Sequence, residues 1–249
     1  MNLPDFFARN PAGAVACSGG TDSSLLVWAA AEYGRNWHAY YVRTAFQPAF
    51  ELADARAVAA QCGLPLTVVE GDILANDAVV ANPENRCYFC KCVLFSVILR
   101  QAAADGYSLV IDGTNASDDI SDRPGIRALR ELDIRSPLRE CGMTKSDVRA
   151  MSREAHLFTW NKPSYACLAT RIPAGTAITK EALEKAETGE NLLFAMGFRD
   201  FRLRLRGNAA LLQLSAEQLP LALEKRRELL EQLSPLFSAV SLDLKARHG

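Results

Sequence analysis

Three stretches of this 249-residue chain have the residue types and spacing to do chemistry. The first is Ala14-Val15-Ala16-Cys17-Ser18-Gly19-Gly20-Thr21-Asp22-Ser23-Ser24. An apolar run stops at SGGTDS, and the helical pattern of Leu25, Leu26, Ala29 and Ala30 begins directly after it. That order predicts strand, small-residue loop and helix N-terminus. Gly19 and Gly20 let backbone N–H groups turn toward a ligand, and Ser18, Thr21, Ser23 and Ser24 add hydroxyl donors. The helix aims its unpaired N–H groups and the positive end of its dipole at the same point. Such a loop suits an anion of phosphate type. A plain N-cap turn needs only one Ser or Asp. A Walker loop is excluded, because it requires a Lys that reaches the β- and γ-phosphates and SGGTDS has none.

The second stretch is Asn85-Arg86-Cys87-Tyr88-Phe89-Cys90-Lys91, and with it Cys167 in Trp160-Asn161-Lys162-Pro163-Ser164-Tyr165-Ala166-Cys167-Leu168-Ala169-Thr170-Arg171-Ile172-Pro173. A C-x-x-C pair puts two thiolates within reach of one metal, or forms a redox pair. It is expected in a loop leading into the helix of Leu94, Phe95, Ile98 and Leu99, whose N-terminus favours thiolates. No second C-x-x-C is present, so two such pairs cannot build a four-Cys zinc site. Cys167 is flanked by Lys162 and Arg171, and nearby cations lower a thiol's pKa and prepare it as nucleophile or ligand. A small core hydrophobe is the bland alternative. Cys17, Cys62, Cys92 and Cys141 read as structural.

The third stretch, Asp112-Gly113-Thr114-Asn115-Ala116-Ser117-Asp118-Asp119, follows the apolar Leu109-Val110-Ile111. On residue types alone it is a solvated turn. Its place after a buried strand points Gly113, Thr114 and Asn115 at a nucleotide and makes Asp118 and Asp119 candidates for Mg²⁺.

These stretches need a scaffold. Trp37 to Val42 and Leu66 to Val69 read as further strands, and Phe50 to Gln61 as a helix ended by Gly63. Strands alternating with helices imply an α/β fold, a parallel twisted sheet with helices on both faces. Ligands sit at the carboxyl ends of such strands, at the switch point. From about Thr176 the pattern is helix, two strands, helix (Leu219 to Leu233) and strand, a smaller C-terminal α/β domain. The expected domains are residues 1–170 and 171–249. In Phe201-Arg202-Leu203-Arg204-Leu205-Arg206 the period of two puts three arginines on one face, either solvated or suited to bidentate phosphate contact. The basic run at Lys225-Arg226-Arg227 reads as a solvated helix face.

Hydrophobic residues make up 49% of the chain, enough for a sizeable core, and the net charge is −1. That balance gives no general attraction to nucleic acid or an anionic membrane. No apolar run of membrane length and no signal core is expected, so the chain is expected to be cytoplasmic, with its seven cysteines outside disulfides.

SGGTDS resembles the PP-loop of the ATP pyrophosphatase superfamily, which implies binding of the pyrophosphate end of ATP and cleavage between the α- and β-phosphates. NRCYFCK, DGTNASDD, DRPG, SPLRECGMTKSDVR, WNKPSYACLATRIPAG and FRLRLRG together, from about residue 12 to 215, resemble LarE, the sulfur transferase family of nickel-pincer cofactor synthesis. The resemblance implies adenylation of a pyridinium biscarboxylate mononucleotide, then displacement of AMP by sulfur to give a thiocarboxylate. It implies a substrate-phosphate role for Arg202 and Arg204. One form of the family gives up the sulfur of its single cysteine and keeps dehydroalanine. Another has three cysteines carrying a 4Fe–4S cluster whose open iron takes sulfide. This chain has all three, Cys87, Cys90 and Cys167, so the cluster form is expected, with Lys91, Lys162 and Arg171 offsetting its negative charge. A homo-oligomer, with a hexamer as one form, is also implied. One departure is Arg206, where the family often has His before the Gly of that strand. The rivals are a tRNA-thiolating PP-loop enzyme and a nucleotide-binding regulator with structural zinc.

Overall fold

The computed structural model describes residues 1–118 and 124–247; Asp119 and the Asp122-Arg123 pair of DRPG lie outside the described residues. Along the chain run α1 (Leu3–Arg9), β1 (Ala12–Ala16), α2 (Thr21–Tyr33), β2 (Asn36–Arg43), α3 (Ala49–Cys62), β3 (Leu66–Glu70), α4 (Asp77–Val80) and α5 (Arg86–Ala104). Then come β4 (Val110–Ile111), α6 (Pro124–Glu131), α7 (Pro137–Glu140), α8 (Lys145–Glu154), α9 (Lys180–Ala195), β5 (Arg202–Arg206), β6 (Ala209–Gln213), α10 (Leu219–Glu224), α11 (Arg226–Leu233) and β7 (Val240–Leu242). The chain forms two compact units, one of Met1–Ile73 with Asn85–Lys162, the other of Leu74–Glu84 with Pro163–Gly249. A single boundary after residue 170 does not describe this division: the second unit starts at Pro163 and also takes the α4 segment.

In the first unit all strands are parallel, in the order β3-β2-β1-β4. The α/β architecture expected from the alternation of strands and helices is present, with helices on both faces. The strand period of two explains how. Val15, Trp37, Ala39 and Tyr41 face one core, with Phe6 and Phe7 of α1, Leu25 and Leu26 of α2, and Val148 of α8. Ala14, Tyr40 and Val42 face the other, with Phe95 and Ile98 of α5 and Leu129 of α6. The order reverses between β1 and β4, where Val15 lies opposite Ile111. SGGTDS leaves the end of β1 and DGTN leaves the end of β4, so both loops open into the crevice at the switch point.

Helix α5 corrects two expectations. The C-x-x-C does not lie in a loop before the helix, because Cys87 and Cys90 are already inside its first turns. The helix is also 19 residues long with a mean hydropathy of 1.4 over an 18-residue window, long and apolar enough to cross a membrane. Here it packs Phe95, Ile98 and Ala102 into the sheet core instead.

In the second unit β5 and β6 form an antiparallel hairpin and β7 runs parallel to β6. Leu183, Ala186 and Leu193 of α9 are buried, as are Leu203, Leu205, Leu212 and Phe237. The single helix expected from Leu219 to Leu233 is two, α10 and α11, meeting at Lys225 with φ −87° and ψ 15°.

Candidate functional site

Gly19 shows why the first loop needs its glycines. It has φ +72°, and a Cβ there would meet Glu51 O at 2.6 Å and Ala55 N at 2.9 Å. Ser23 Oγ lies 3.1 Å from both the backbone N and the Oγ of Ser18, closing the loop across the start of α2. A cavity of about 330 Å³ opens above it, lined by Ser18, Gly20, Asp22 and Ser23 of this loop and by Asp112, Gly113, Thr114 and Asp118 of the loop after β4. Tyr40, Tyr41 and Val42 of β2 and Leu94, Phe95 and Ile98 of α5 supply the more apolar wall, with Lys91 of α5 beside them. The spacing of the four α5 residues is that of one helix face. The two loops nearly touch, since a Cβ on Gly113 would come within 3.0 Å of Ser23 N.

Not every residue expected at the nucleotide faces this cavity. The Thr21 hydroxyl donates to the Thr159 carbonyl at 2.9 Å, and Ser24 is fully buried with its hydroxyl on the Gly20 carbonyl at 2.8 Å. Their work is to hold the loop. Asn115 likewise stands behind the wall, its Nδ2 donating to Asp22 Oδ1 at 3.1 Å.

Beside the cavity lies a charge system whose pairing the sequence pattern did not mark. Asp22 Oδ2 accepts from Lys145 Nζ, the first residue of α8, at 2.6 Å. Lys145 is held in turn by its backbone N–H on Ser117 Oγ at 2.9 Å. Asp112 is buried, accepts the hydroxyls of Ser136 and Thr114 at 2.5 and 2.6 Å, and lies 3.9 Å from Lys91 Nζ. Asp118 Oδ2 accepts from Asn115 N at 2.9 Å. Three carboxylates thus face two ammonium groups. In the sequence Lys145 lies in SPLRECGMTKSDVR behind the capping residue Thr144, which marks a helix start and not a ligand.

Lys162 is already engaged within the first unit. Its ammonium donates to Gly19 O at 3.0 Å, pairs with Asp54, and sits 5.2 Å from the centre of the Phe50 ring. It fastens the Trp160-Asn161-Lys162 segment to the back of the SGGTDS loop.

In the second unit Cys167 is half-buried and caps a 3-10 turn, Leu168–Arg171, with its carbonyl accepting from Thr170 N at 3.0 Å and Thr170 Oγ1 at 2.8 Å. Arg171 is fully buried. Its Nε and Nη2 donate to the two oxygens of Glu190 at 2.8 and 2.9 Å, and its Nη1 donates to Ala166 O at 2.8 Å and Cys167 O at 3.4 Å. Burial works against its charge, but the two bonds to Glu190 outweigh this and raise its pKa. It lies within electrostatic reach of Cys167, with its charge already matched by Glu190. Tyr165 donates its hydroxyl to Glu190, and burial followed by that carboxylate drives its pKa up.

The arginines of β5 are not a solvated face. Arg202 is buried and donates to Phe201 O and Ser164 O, each at 2.8 Å, and Arg204 donates to Gln213 Oε1 at 2.9 Å and to Thr170 O. Only Arg206 is exposed. Burial and then repulsion from Arg171 and Arg247 push Arg202 down to about 10, and the same causes lower Arg204. Arg247 pairs its Nη2 with Asp200 at 3.4 Å, and its buried Nη1 has no hydrogen-bond partner among the described residues. The region is rich in positive charge and has an unanswered donor, which suits an anion.

The donor set of Cys87, Cys90 and Cys167 has the chemistry of a three-thiolate cluster site. Among the described residues, however, no three His, Cys, Asp or Glu side chains are gathered closely enough to hold a metal ion. Cys87 is exposed and Cys90 half-buried on α5. Burial sets Cys17 and Cys62 apart as structural thiols, pushing each up to about 11.

No family model matches the chain. An uncharacterised protein of Synechocystis sp. is 40% identical over 222 residues, 88% of this chain and 82% of that protein. An uncharacterised protein of Methanocaldococcus jannaschii is 28% identical over 98% of this chain and 93% of its own length. The pyridinium-3,5-bisthiocarboxylic acid mononucleotide synthase of Lactiplantibacillus plantarum is 31% identical over 233 residues, 92% of this chain and 84% of the synthase. A shared sequence of that extent, on a parallel sheet whose two glycine-bearing loops meet at the switch point, places this chain in the LarE family of sulfur transferases.

Proposed function

We propose that this chain uses ATP to adenylate a carboxylate of a pyridinium biscarboxylate mononucleotide and then converts it to a thiocarboxylate. The observation that carries the reading is the cavity of about 330 Å³ where Ser18, Gly20, Asp22 and Ser23 face Gly113, Thr114 and Asp118. Its loop donors suit the pyrophosphate of ATP, and its apolar wall of Tyr41, Leu94 and Phe95 suits a base. A substrate carboxylate oxygen attacks the α-phosphorus, the bond to the β-phosphate oxygen breaks, and pyrophosphate leaves. Lys145, paired with Asp22, and Lys91, 3.9 Å from Asp112, are the cations proposed to neutralise that developing charge. Asp22 and Asp118 would hold the Mg²⁺ that accompanies the nucleotide. Sulfur then attacks the acyl carbon and expels AMP.

Arg202 and Arg204, with the unpartnered Nη1 of Arg247 beside them, support binding of the substrate phosphate in the second unit. Cys167 is the residue proposed to present sulfur. In the sacrificial route its thiolate forms a thioester, and loss of the Cα proton with cleavage of the Cβ–S bond leaves dehydroalanine and the thiocarboxylate. In the other route sulfide is the nucleophile. Cys87, Cys90 and Cys167 would then be the ligands of a 4Fe–4S cluster supplying an open iron. Exposed Leu223 and Leu230 on α10 and α11 are where a second copy would pack in a homo-oligomer, and a cytoplasmic setting would keep the thiols reduced. The test is product analysis with ATP and the mononucleotide: AMP, pyrophosphate and a thiocarboxylate support the reading, and ADP with phosphate refutes it.

A further inference from the structure

All three nitrogens of Arg171 and both oxygens of Glu190 are engaged, and most of their partners lie on the segment that carries Cys167. Glu190 accepts from Arg171 Nε and Nη2, from the Tyr165 hydroxyl, and from the Leu203 backbone N–H of β5 at 3.0 Å. That fills the acceptor capacity of a carboxylate. Tyr165 also lies beneath Arg171, with the guanidinium carbon 4.4 Å from its ring centre. The one nitrogen of Arg171 left over, Nη1, reaches Ala166 O, Cys167 O and Thr170 Oγ1. Arg202 and Arg204 take the carbonyls at the two ends, Ser164 O and Thr170 O. The carbonyls of residues 164, 166, 167 and 170 are therefore all drawn toward guanidinium groups, and the loop has little freedom to rotate.

A buried ion pair of this kind is a weak source of stability, because desolvation offsets most of the attraction and apolar residues of similar volume do as well. What it supplies is a fixed geometry. We infer that Glu190 and Tyr165 are positioning residues for the sulfur of Cys167, acting through Arg171. This rests on the sulfur-presenting role of Cys167 stated above. Attack on an acyl carbon needs the nucleophile at about 3–3.5 Å and in line, and a 1 Å misplacement costs on the order of a hundredfold in rate. Arg171 cannot turn to follow a moved loop while both Glu190 oxygens hold it. Tyr165 in turn fixes the rotation of the carboxylate.

The test compares Tyr165→Phe, Glu190→Gln and Arg171→Lys with the wild type at saturating acceptor. Three quantities are read: AMP and pyrophosphate formation with the KM for ATP, the rate of thiocarboxylate formation, and amide hydrogen exchange across residues 164–171. The expected result is an unchanged ATP KM and adenylation rate in all folded variants. Thiocarboxylate formation should fall about tenfold in Tyr165→Phe and about a hundredfold in Glu190→Gln, with faster exchange in the loop. Arg171→Lys should not rescue, since an ammonium cannot span Glu190 and two carbonyls at once. A purely structural role would lower adenylation and sulfur transfer together, in proportion to unfolded protein, and that outcome overturns the inference. So does a folded Glu190→Gln with wild-type sulfur transfer. If Glu190→Gln does not fold, Tyr165→Phe decides, since it deletes one hydroxyl only. A wild type that makes no AMP would sink the proposed function itself, whereas loop exchange unchanged between wild type and variants sinks only the positioning role.

Discussion

Lys145 Nζ lies 2.6 Å from Asp22 Oδ2, so the aspartate of the SGGTDS loop is paired with a cation from a helix more than a hundred residues further along the chain. The loop has no lysine of its own, and α8 supplies one. Replacing Lys145 by Ala should lower AMP and pyrophosphate formation ten- to hundredfold, about 1.5–3 kcal/mol for a lost charge-assisted contact. Stability should change by less than about 1 kcal/mol, because both partners are partly exposed. Steady-state kinetics beside thermal melting separates the two. An unaltered rate would leave Lys145 as a tether for Asp22 and nothing more.

Asp22→Ala and Ser23→Ala should each abolish ATP cleavage while leaving a folded protein. Ser23 closes the loop on Ser18, and Asp22 faces the cavity between Lys145 and Asn115. Ion-exchange separation of the nucleotides gives the answer. Thr21→Ser, which keeps the hydroxyl on the Thr159 carbonyl, should be silent.

Arg202→Ala or Arg204→Ala should weaken the acceptor by roughly ten- to hundredfold, about 1.5–3 kcal/mol, with ATP affinity intact. Titration of the acceptor by calorimetry checks this. Equal acceptor affinity in both variants would reduce these arginines to their carbonyl contacts with Ser164 and Thr170.

Sulfur delivery divides on mass. If Cys167 is sacrificial, each chain acts once and loses H₂S, about 34 Da, at the irreversible end of cysteine chemistry. If supplied sulfide is delivered, turnover is multiple, and Cys87→Ala or Cys90→Ala loses activity together with iron. Intact mass spectrometry after reaction, with iron and sulfide counts on anaerobic protein, distinguishes them.

Cys17 predicts an alkaline weakness. Burial lifts its pKa from 9.0 to about 11, so the fold favours the protonated thiol. The folded state then holds more protons than the unfolded one between these values, and the associated stability is full below about pH 9 and lost as pH rises to about 11. Two pKa units correspond to about 3 kcal/mol. Urea midpoints at pH 8 and 10.5 should show the fall in wild type and a flatter dependence in Cys17→Ala.

What could be read from sequence was whatever local chemistry decides. The alternation in Trp37 to Val42 places Trp37, Ala39 and Tyr41 in one core and Tyr40 and Val42 in the other. Gly63 ends α3 with φ 67°, as a left-handed cap should. SGGTDS and DGTN follow buried strands, and topology does the rest. What was hidden depends on partners far away in the chain. Neither Lys145 nor Glu190 has a neighbour in sequence that hints at Asp22 or Arg171. The arginines of β5 follow the strand period faithfully, yet their donors turn to carbonyls of a loop that no periodicity reveals. Helix α5 was longer and more apolar than the sequence reading allowed, because a helix that lines a cavity and packs on a sheet carries apolar residues on more than one face.

The α4 segment has a consequence for how the molecule is made. Asn82 sits in the left-handed region at φ 53°, fully inside the second unit, and its side-chain amide donates to Pro173 O at 2.8 Å and Thr176 O at 3.0 Å. Gly175 N and Ile178 N return hydrogen bonds to Asn82 O and Val80 O, each at 2.8 Å. On the ribosome none of these partners exists when Asn82 emerges. At roughly 5–20 residues per second, they follow about 5–20 s later. Through that interval these hydrogen bonds of Val80 and Asn82 cannot form. The order of synthesis therefore makes the first unit carry an unfinished strip of the second, and no single cut in the gene separates a complete copy of either.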